Sequence, residues 1–531
     1  MSSDAQQESK GAAESEQSHA LSGRRLGWVA LLLAGSVLLS RVLGFVREMV
    51  LADRQGVGPA TDAFSAAFQI PDILNYLLAG GALAIAFTPL YLRKLKEEGE
   101  GSGAALFHSV LGSLGLLTTG ATVLLWWAAP AAVDLQFPDF DPETRRLTVR
   151  LTRIVLPAQI FFVMGGIVRA VLMAHGRFAA QAAAPLLYNA GIIVGGLLGE
   201  GIEGFAWGAL AGAFAGAFVI PFWQIRAVSP VALRIAPWDP AFRQYVVLAL
   251  PLMIGLSLTT VDEWYERWFG QAIGVGVLAS LAYARRLMMA PVAVVGQAVA
   301  TAALPSLAAL HAEGRQRELD ALLMRTLRAT LSGAVLLGGA FSVLALPLVR
   351  VLYERGAFSS EDSLRVAALL TILALAVPGW VVQQVAVRAF FARGEMWRPM
   401  LLGTGLAVAA LPLYAVLAER WGAPGLAAAG VIAISTHAVV TLGWARGRYG
   451  GPPLAPLFET FFRSLMITGV SALAVYALAG SLSTSLGGFA ELLIGAGLYV
   501  VVAGVGVLCL GDKASRAWVR ALPVRIRGRF G

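Results

Sequence analysis

Long runs of apolar residues, separated by short polar and charged stretches, fill the chain from residue 27 to residue 511. Each run is about 20 residues or longer, the length that an α-helix needs to cross a hydrocarbon core of about 30 Å. The alternation typical of ~10-residue barrel strands is absent, so the pattern predicts an all-α polytopic membrane protein. Fourteen transmembrane helices are predicted, at 27–52, 62–92, 104–130, 147–174, 180–199, 203–226, 241–270, 276–310, 326–352, 361–392, 397–418, 422–445, 460–482 and 486–511.

The distribution of Lys and Arg favours this count. Basic residues concentrate in alternate loops, such as those that contain Lys94, Arg315 and Arg448, whereas the remaining loops hold few. Cytoplasmic loops of membrane proteins carry such an excess of positive charge. The asymmetry therefore predicts an even number of spans with both termini in the cytoplasm.

The two halves of the chain contain similar motifs in the same order. Motifs of the fourth predicted span recur in the tenth: Leu156-Pro157 as Val377-Pro378, Val168–Ala170 as Val387–Ala389, and Ala174–Gly176 as Ala392–Gly394. An interval of six helices preserves topology, which predicts two six-helix parallel repeats around a central cavity. Chance similarity among apolar segments is the alternative.

The predicted domains follow from this repeat. They are a disordered cytoplasmic tail (1–26), an N-terminal six-helix lobe (27–228), a C-terminal six-helix lobe (229–448), two additional transmembrane helices (449–512) and a basic cytoplasmic tail (513–531).

Composition narrows the class further. With 57% hydrophobic and 14% charged residues, the chain is too apolar for a soluble enzyme of 531 residues. Cys509 is the only cysteine and the five histidines are scattered, so no disulfide, metal site or redox cofactor is predicted. Topology explains the net charge of +9 better than nucleic-acid binding does. No catalytic residue set or phosphate-binding loop is visible, so the chain is predicted not to be an enzyme.

Charged residues interrupt the first predicted span. Arg41 lies about two-thirds of the way along the apolar run from Gly27 to Val46, and an arginine at mid-membrane costs roughly 2.5–3.5 kcal/mol. Arg41 should therefore face a polar cavity or an anionic partner. Ser40 and Arg47 are seven residues apart and share one helix face, whereas Arg41 points elsewhere. Snorkelling of either arginine to the membrane interface is the alternative.

A second group of charged residues lies in the seventh and eighth predicted spans. Glu263 and Arg267 have the favourable i,i+4 spacing and are expected to pair. Asp262 and Glu266 remain on one face, where they are expected to take a proton, a cation or an arginine of another helix, or to lie at the outer interface. The adjacent arginines of the eighth span, Arg285 and Arg286, are too far from its ends for both to snorkel, so at least one should line the cavity.

Five motifs together resemble the MurJ (MviN) family of lipid II flippases, within the multidrug/oligosaccharidyl-lipid/polysaccharide exporter superfamily. They are SRVLGFVRE, GPATDAF, AAFQIPDILNYLLAGGALAIAFTPLY, LAYARRLMMAPVAVVGQAVATAALPSL and LYERGAFSSEDS. The resemblance covers roughly residues 27 to 512. It implies a multi-pass protein of the bacterial cytoplasmic membrane that moves lipid II from the inner to the outer leaflet by alternating access.

The resemblance also implies substrate-binding residues. The family's functional serine, arginines and aspartate match Ser40, Arg41, Arg47, Asp62 and Arg286. A pyrophosphate and peptide carboxylates would need such arginine donors in a dry, cationic cavity.

The chain departs from the family pattern at two positions. Asn75 stands where the family has a second-helix arginine, and Arg285 replaces an acidic residue beside Arg286. We expect Arg285 to compensate for Asn75 in binding the head group.

Two other functions remain open at this point. One is a flippase for another polyprenyl-pyrophosphate-linked glycan, and the other is a non-transporting membrane scaffold for cell-wall synthesis. The expected partners are lipid II or a related undecaprenyl-pyrophosphate glycolipid, membrane lipids and, for the scaffold, cell-wall synthesis enzymes, with no nucleic acid. A membrane potential or cation gradient is expected to drive the cycle, with Asp262 as the first coupling candidate.

Overall fold

The computed structural model describes residues 32–79, 86–254, 258–450, 453–482 and 488–516. The predicted tail at 1–26 and most of the basic tail, 517–531, lie outside these residues. Within them the regular structure is entirely helical, as the lengths of the apolar runs predicted. The all-α class is therefore confirmed.

The helices of the first half of the chain are α1 (described at 32–55), α2 (Pro59–Ala67), α3 (Gln69–Ala79), α4 (Thr88–Glu98), α5 (Glu100–Gln136), α6 (Pro142–Val155), α7 (Ala158–Ala174), α8 (Ala179–Leu198), α9 (Gly201–Ala213), α10 (Ile220–Ile225) and α11 (Pro240–Ile254). Those of the second half are α12 (Leu258–Gly270), α13 (Val277–Pro291), α14 (Ala298–Ala312), α15 (Gln316–Val343), α16 (Ala345–Tyr353), α17 (Ser360–Leu373), α18 (Val377–Ala386), α19 (Arg388–Phe391), α20 (Trp397–Tyr449), α21 (Ala455–Leu482) and α22 (Gly488–Leu510). Short π-helical segments join α9 to α10 (Phe214–Val219) and α13 to α14 (Val292–Gln297).

The chain divides into two compact units. Unit 1 contains the described parts of Met1–Leu51, Ile70–Ala129 and Arg150–Met253, and unit 2 those of Ala52–Gln69, Pro130–Val149 and Ile254–Gly531. Two short stretches of the first half thus belong to the second unit. The domain boundaries read from the sequence stay a prediction.

Ten helices among the described residues are long and apolar enough to cross a membrane. They correspond to eleven of the predicted spans, because α20 covers two of them in one helix. The predicted spans at 27–52, 62–92 and 241–270 each extend beyond the described residues. The total of fourteen and the twofold repeat therefore stay predictions.

Helix α20 contains a break at its middle. It has 53 residues, and at 1.5 Å per residue a straight helix of that length would be about 80 Å long. Gly422 interrupts it with φ 62° and ψ −139°, a backbone conformation that glycine adopts without steric cost. The break coincides with the predicted boundary between the eleventh and twelfth spans.

Two prolines of the proposed repeat occupy similar places. Pro157 precedes α7 after the turn that ends α6, and Pro378 lies at the start of α18 after the 3₁₀ turn Ala374–Ala376. Proline lacks the backbone N–H that a helix interior needs but fits a helix start. The fourth and tenth predicted spans are thus both interrupted at the matching residue.

Glycines allow α8 and α9 in unit 1 to pack very closely. A Cβ atom at Gly195 would lie 2.3 Å from the carbonyl oxygen of Gly204, and one at Gly208 would lie 2.3 Å from that of Gly191. Small residues four apart let membrane helices approach until their backbones touch. The spacing GxxxGxxxG, visible in the sequence from Gly191, therefore determines this helix pair.

Candidate functional site

In unit 1, Asn189 connects the two polar residues predicted on one face of α1. Its side-chain Nδ2 donates to both the Oγ and the carbonyl oxygen of Ser40, at 3.3 Å each. Its Oδ1 accepts from Arg47 Nη1 at 3.2 Å. Because Asn189 is buried in α8, these bonds dock the polar face of α1 onto α8. Ser40 and Arg47 therefore lie on one face of α1, as their seven-residue spacing predicted.

Arg47 also has an anionic partner beside it. Its Nη2 lies 2.6 Å from Oε1 of Glu48, and both side chains are largely buried. Arg41 lies on an exposed face of the same helix. The structure therefore separates the two arginines, one within a polar cluster and one on the helix surface.

Asn75 stands at the position where the family pattern has an arginine. It lies in α3 and is half-buried. Its Nδ2 donates to Oε1 of Gln159 in α7 at 2.8 Å. This pair of amides is neutral, so α3 contributes a polar contact and no charge at this position.

Asp62 caps a helix of unit 2. Its Oδ2 accepts from the backbone N–H of Gly276 at 2.5 Å, and its Oδ1 accepts from that of Ala279 at 2.8 Å. Gly276 is the residue before α13 and has no side chain to cap it, so the carboxylate of a distant residue does so. A carboxylate at a helix N-terminus also interacts favourably with the helix dipole.

Three of the quoted motifs meet around this cap in unit 2. The last turn of α1 binds the loop after α16, since the N–H of Ala357 donates to the carbonyl of Asp53 at 2.7 Å. The rings of Tyr283, Tyr353 and Phe358 pack together with centroids 5.0–5.8 Å apart. These contacts hold the beginning of α13 in one place.

The acidic residues of α12 surround an arginine of α13. Arg285 Nη1 lies 2.7 Å from Asp262 Oδ2, and Arg285 Nε donates to Glu266 Oε2 at 2.8 Å. The Tyr414 hydroxyl of α20 donates to Asp262 Oδ1. All three charged side chains are 5–6% exposed. Of the alternatives left open for Asp262 and Glu266, the structure thus selects an arginine of another helix, and places them inside instead of at an interface.

This geometry bears on the predicted role of Arg285. Its guanidinium is shared between two carboxylates, so it offers no uncompensated positive charge in this conformation. Compensation for Asn75 would require Arg285 to leave at least one of these partners.

The expected pair of Glu263 and Arg267 is present. Arg267 Nη2 lies 3.5 Å from Glu263 Oε2, and Arg267 Nη1 donates to Gln69 Oε1 at 2.9 Å. Gln69 belongs to the short segment 52–69 of unit 2, so this arginine also anchors that segment to α12.

A cavity of about 110 Å³ lies beside these residues in unit 2. Charged side chains from α12 and α13 line it, together with Ser65 of α2. The charged members are Glu263, Glu266, Arg267, Arg285 and Arg286. Arg285 and Arg286 thus both border this cavity of unit 2. That one of them lines the central cavity of the two repeats stays a prediction.

Sequence reasoning missed the polar partners Asn189, Gln159 and Tyr414. Each lies within a predicted span, where a polar side chain needs a hydrogen-bond partner or a water-filled surface. That signal was available in the sequence, but it does not tell which residue each of these side chains would contact.

The fold and the charged clusters define a class of protein. The chain is a multi-pass helical membrane protein whose interior carries arginines and carboxylates in addition to apolar side chains, which is typical of transporters. Residues 51–496 match the family model described as Lipid II flippase MurJ. The chain belongs to this family.

Relatives cover most of the chain. A protein of Rhizobium meliloti (strain 1021) named "Probable lipid II flippase MurJ" is 30% identical over 460 residues, which are 84% of this chain and 85% of the relative. The "Lipid II flippase MurJ" of Burkholderia cenocepacia (strain ATCC BAA-245 / DSM 16553 / LMG 16656 / NCTC 13227 / J2315 / CF5610) is 27% identical over 393 residues, 71% of this chain and 75% of that one.

Solved structures share the fold. A lipid II flippase MurJ in an inward closed conformation superposes with a TM-score of 0.75 at 21% identity, covering 90% of this chain and 99% of the other. An inward-facing multidrug resistance MATE family transporter of the MOP superfamily gives 0.65 at 15% identity, covering 80% and 98%. The family and the ten apolar helices make the chain a multi-pass protein of the bacterial inner membrane.

Proposed function

We propose that this chain moves lipid II from the inner to the outer leaflet of the bacterial cytoplasmic membrane by alternating access. The observation that carries the proposal is the family match over residues 51–496. The charged clusters in both units support it, because a lipid that carries a pyrophosphate needs cationic donors inside an otherwise apolar protein.

The head group should bind to arginines of the charged clusters. Desolvating a pyrophosphate of about two negative charges costs several kcal/mol per charge unless cations meet it. Arg47 is held in place by Asn189 and Glu48, and Arg286 lines the cavity of unit 2. We assign the pyrophosphate to Arg286, and we keep Arg47 as a separate proposed contact in unit 1 for the carboxylates of the substrate. Arg41, Ser40 and Asn75 remain proposed contacts for the other polar groups of the substrate.

The resemblance implies that Asp62 binds substrate, but we propose a different role for it. Both of its oxygens accept backbone N–H groups of α13. A second anion beside an anionic substrate would repel it, whereas a cap fixes the helix that carries Arg286. Asp62 is therefore proposed as a positioning residue.

Rescue of a bacterium depleted of its own lipid II flippase tests the proposed function. Expression of this chain should restore growth and lipid II at the outer leaflet, and Arg286→Ala should abolish the rescue. Arg317→Ala is the matched control and should rescue fully, because Arg317 is an exposed arginine in the first turn of α15. Normal membrane expression without outer-leaflet lipid II would contradict the proposal.

The same assay separates the alternatives. A flippase for another polyprenyl-pyrophosphate glycan would be expressed in the membrane, but lipid II would remain in the inner leaflet. A scaffold that recruits cell-wall enzymes through the tails would lose function when residues 1–26 and 517–531 are deleted. We expect the deletion variant to keep most of its rescue activity, since the charged clusters lie elsewhere.

A further inference from the structure

A second and larger cavity of unit 2 lies between α15, α18, α20 and α21. Its volume is about 530 Å³. Apolar side chains and glycines line it, together with Ser435 and Thr468. Several lining side chains, among them Val439 and Phe458, are exposed, so the cavity is open on one side. Because its walls are predicted transmembrane spans, we expect that side to face lipid chains.

The cavity is about as long as one leaflet is thick. Its lining residues on α21 extend from Leu457 to Thr468, and at 1.5 Å per residue this stretch is about 17 Å long. Half of a hydrocarbon core of about 30 Å is about 15 Å. The acyl chain of a bilayer phospholipid therefore fits the cavity, whereas an extended undecaprenyl tail is much longer.

One end of this apolar cavity is cationic. A smaller cavity of about 20 Å³ adjoins it there. Three leucines line both cavities, namely Leu442, Leu454 and Leu457. The charged residues that line the smaller cavity are Asp320, Arg393 and Arg446. Together they carry one more positive charge than negative charge.

The carboxylates around this end are paired with other arginines. The ion pairs are Asp320–Arg393 at 3.7 Å, Glu395–Arg398 at 2.9 Å and Glu459–Arg463 at 2.7 Å. Arg446 is exposed and forms no ion pair with any residue in the described part of the chain. The surplus positive charge is therefore that of Arg446.

An apolar cavity with an arginine at one end is complementary to an amphipathic anion. Guanidinium groups bind phosphate through charge-assisted hydrogen bonds, and basic residues beside a membrane attract anionic head groups. We propose that this cavity binds a phospholipid with an anionic head group, with one acyl chain between the helices and the phosphate at Arg446. The predicted topology places Arg446 on the cytoplasmic side, so the lipid belongs to the inner leaflet. The site is separate from the one proposed for the pyrophosphate, because Arg286 lines a different cavity.

Native mass spectrometry of the purified full-length protein tests the inference with phosphatidylglycerol and phosphatidylcholine of identical acyl chains. The wild type should bind the anionic lipid about fivefold more tightly, the effect of one arginine near a membrane surface. Arg446→Ala should lose this preference. Arg448→Ala is the matched control, because Arg448 is exposed at the same end of α20 but does not line the cavity. It should keep the preference.

A second pair of variants tests the position of the acyl chain. Val439→Trp places a large side chain in the cavity and should abolish the binding of both lipids. Ile432→Trp is its control, since Ile432 lies on the same helix outside the cavity lining. Both positions are exposed, so neither change disturbs the packed core.

Three results would overturn the inference. An equal loss of preference in the two arginine variants would indicate non-specific attraction to basic residues. Unchanged lipid binding by Val439→Trp would place the chain elsewhere. Displacement of bound phosphatidylglycerol by undecaprenol more readily than by phosphatidylcholine would assign the cavity to the tail of the substrate. None of these results depends on whether the chain moves lipid II.

Discussion

Asp62 illustrates how a residue's motif and its contacts lead to different roles. The resemblance made it a candidate substrate contact, yet its carboxylate is 2% exposed and caps α13. The residue it caps, Gly276, lies 214 positions away in the chain. Spacing within a motif gives no information about a partner at that distance.

The cap makes a prediction about stability. Asp62→Ala should lower the free energy of unfolding by about 1–2 kcal/mol, since an N-cap side chain contributes about that much. Asp62→Asn keeps one carbonyl oxygen as an acceptor and should retain most of the stability. Thermal unfolding of the detergent-solubilised protein measures both. Equal melting temperatures for the Ala variant and the wild type would argue against the cap.

Helices α21 and α22 are attached to α15 through one buried carboxylate. Asp512 lies just after α22. One of its oxygens accepts hydrogen bonds from Arg328 Nε of α15, at 2.9 Å, and from the hydroxyl of Thr460 of α21. The N–H and hydroxyl of Ser515 donate to its other oxygen at 2.7 and 2.8 Å. Burial opposes ionisation of Asp512, but these donors and the Arg328 guanidinium together hold its pKa below the usual value.

Removal of this carboxylate should loosen both helices. Asp512→Ala is expected to cost about 1–3 kcal/mol, the usual loss when a buried hydrogen-bonded charge loses its partner. Glu459→Ala removes another carboxylate near Arg328, but that side chain is 46% exposed and 3.5 Å away. It should cost less than about 0.5 kcal/mol. Thermal unfolding near neutral pH compares the stabilities of the two variants. Equal losses of stability would contradict the proposed role of Asp512 in attaching α21 and α22.

The pH dependence of this attachment has a definite sign. A carboxyl whose folded-state pKa is lowered contributes stability at pH values above its unfolded value, about 3.9, and loses it as the pH falls through the folded value. The melting-temperature difference between wild type and Asp512→Asn should therefore shrink as the pH is lowered below about 4. A difference that stays constant with pH would mean that the carboxylate charge is not involved.

At the scale of the whole molecule, the path of the chain through the membrane is the main prediction still to be tested. The fourteen-span topology places both termini, and residues such as Glu97 and Glu313, in the cytoplasm. It places Asp139 and Trp421 outside. Trp421 precedes the Gly422 break in α20, so its location decides whether that helix crosses the membrane twice.

Single-cysteine labelling can test this topology, because Cys509 is the only native cysteine. In a Cys509→Ser background, Asp139→Cys and Trp421→Cys should react with a membrane-impermeant maleimide in intact cells. Glu97→Cys and Glu313→Cys should react only after permeabilisation. The Cys509→Ser chain without an added cysteine serves as the control and should not react. Protection of Trp421→Cys in intact cells would contradict the predicted span count.

The sequence by itself determined the class, the helices and the family. Apolar runs of membrane length leave the backbone no alternative to helices, because unpaired polar groups are too costly in hydrocarbon. The i,i+4 pair of Glu263 and Arg267 and the shared face of Ser40 and Arg47 also followed from helix periodicity, since residues on one helix have known relative directions.

Only the tertiary structure decided which charges meet across helices. Arg285 could have faced a substrate, the lipid interface or a carboxylate, and the packing of α13 against α12 placed it between Asp262 and Glu266. The same holds for Asn189 with Arg47 and for Tyr414 with Asp262. Helix periodicity defines the direction of a side chain on its own helix, but the neighbour in that direction depends on how helices distant in the sequence pack together.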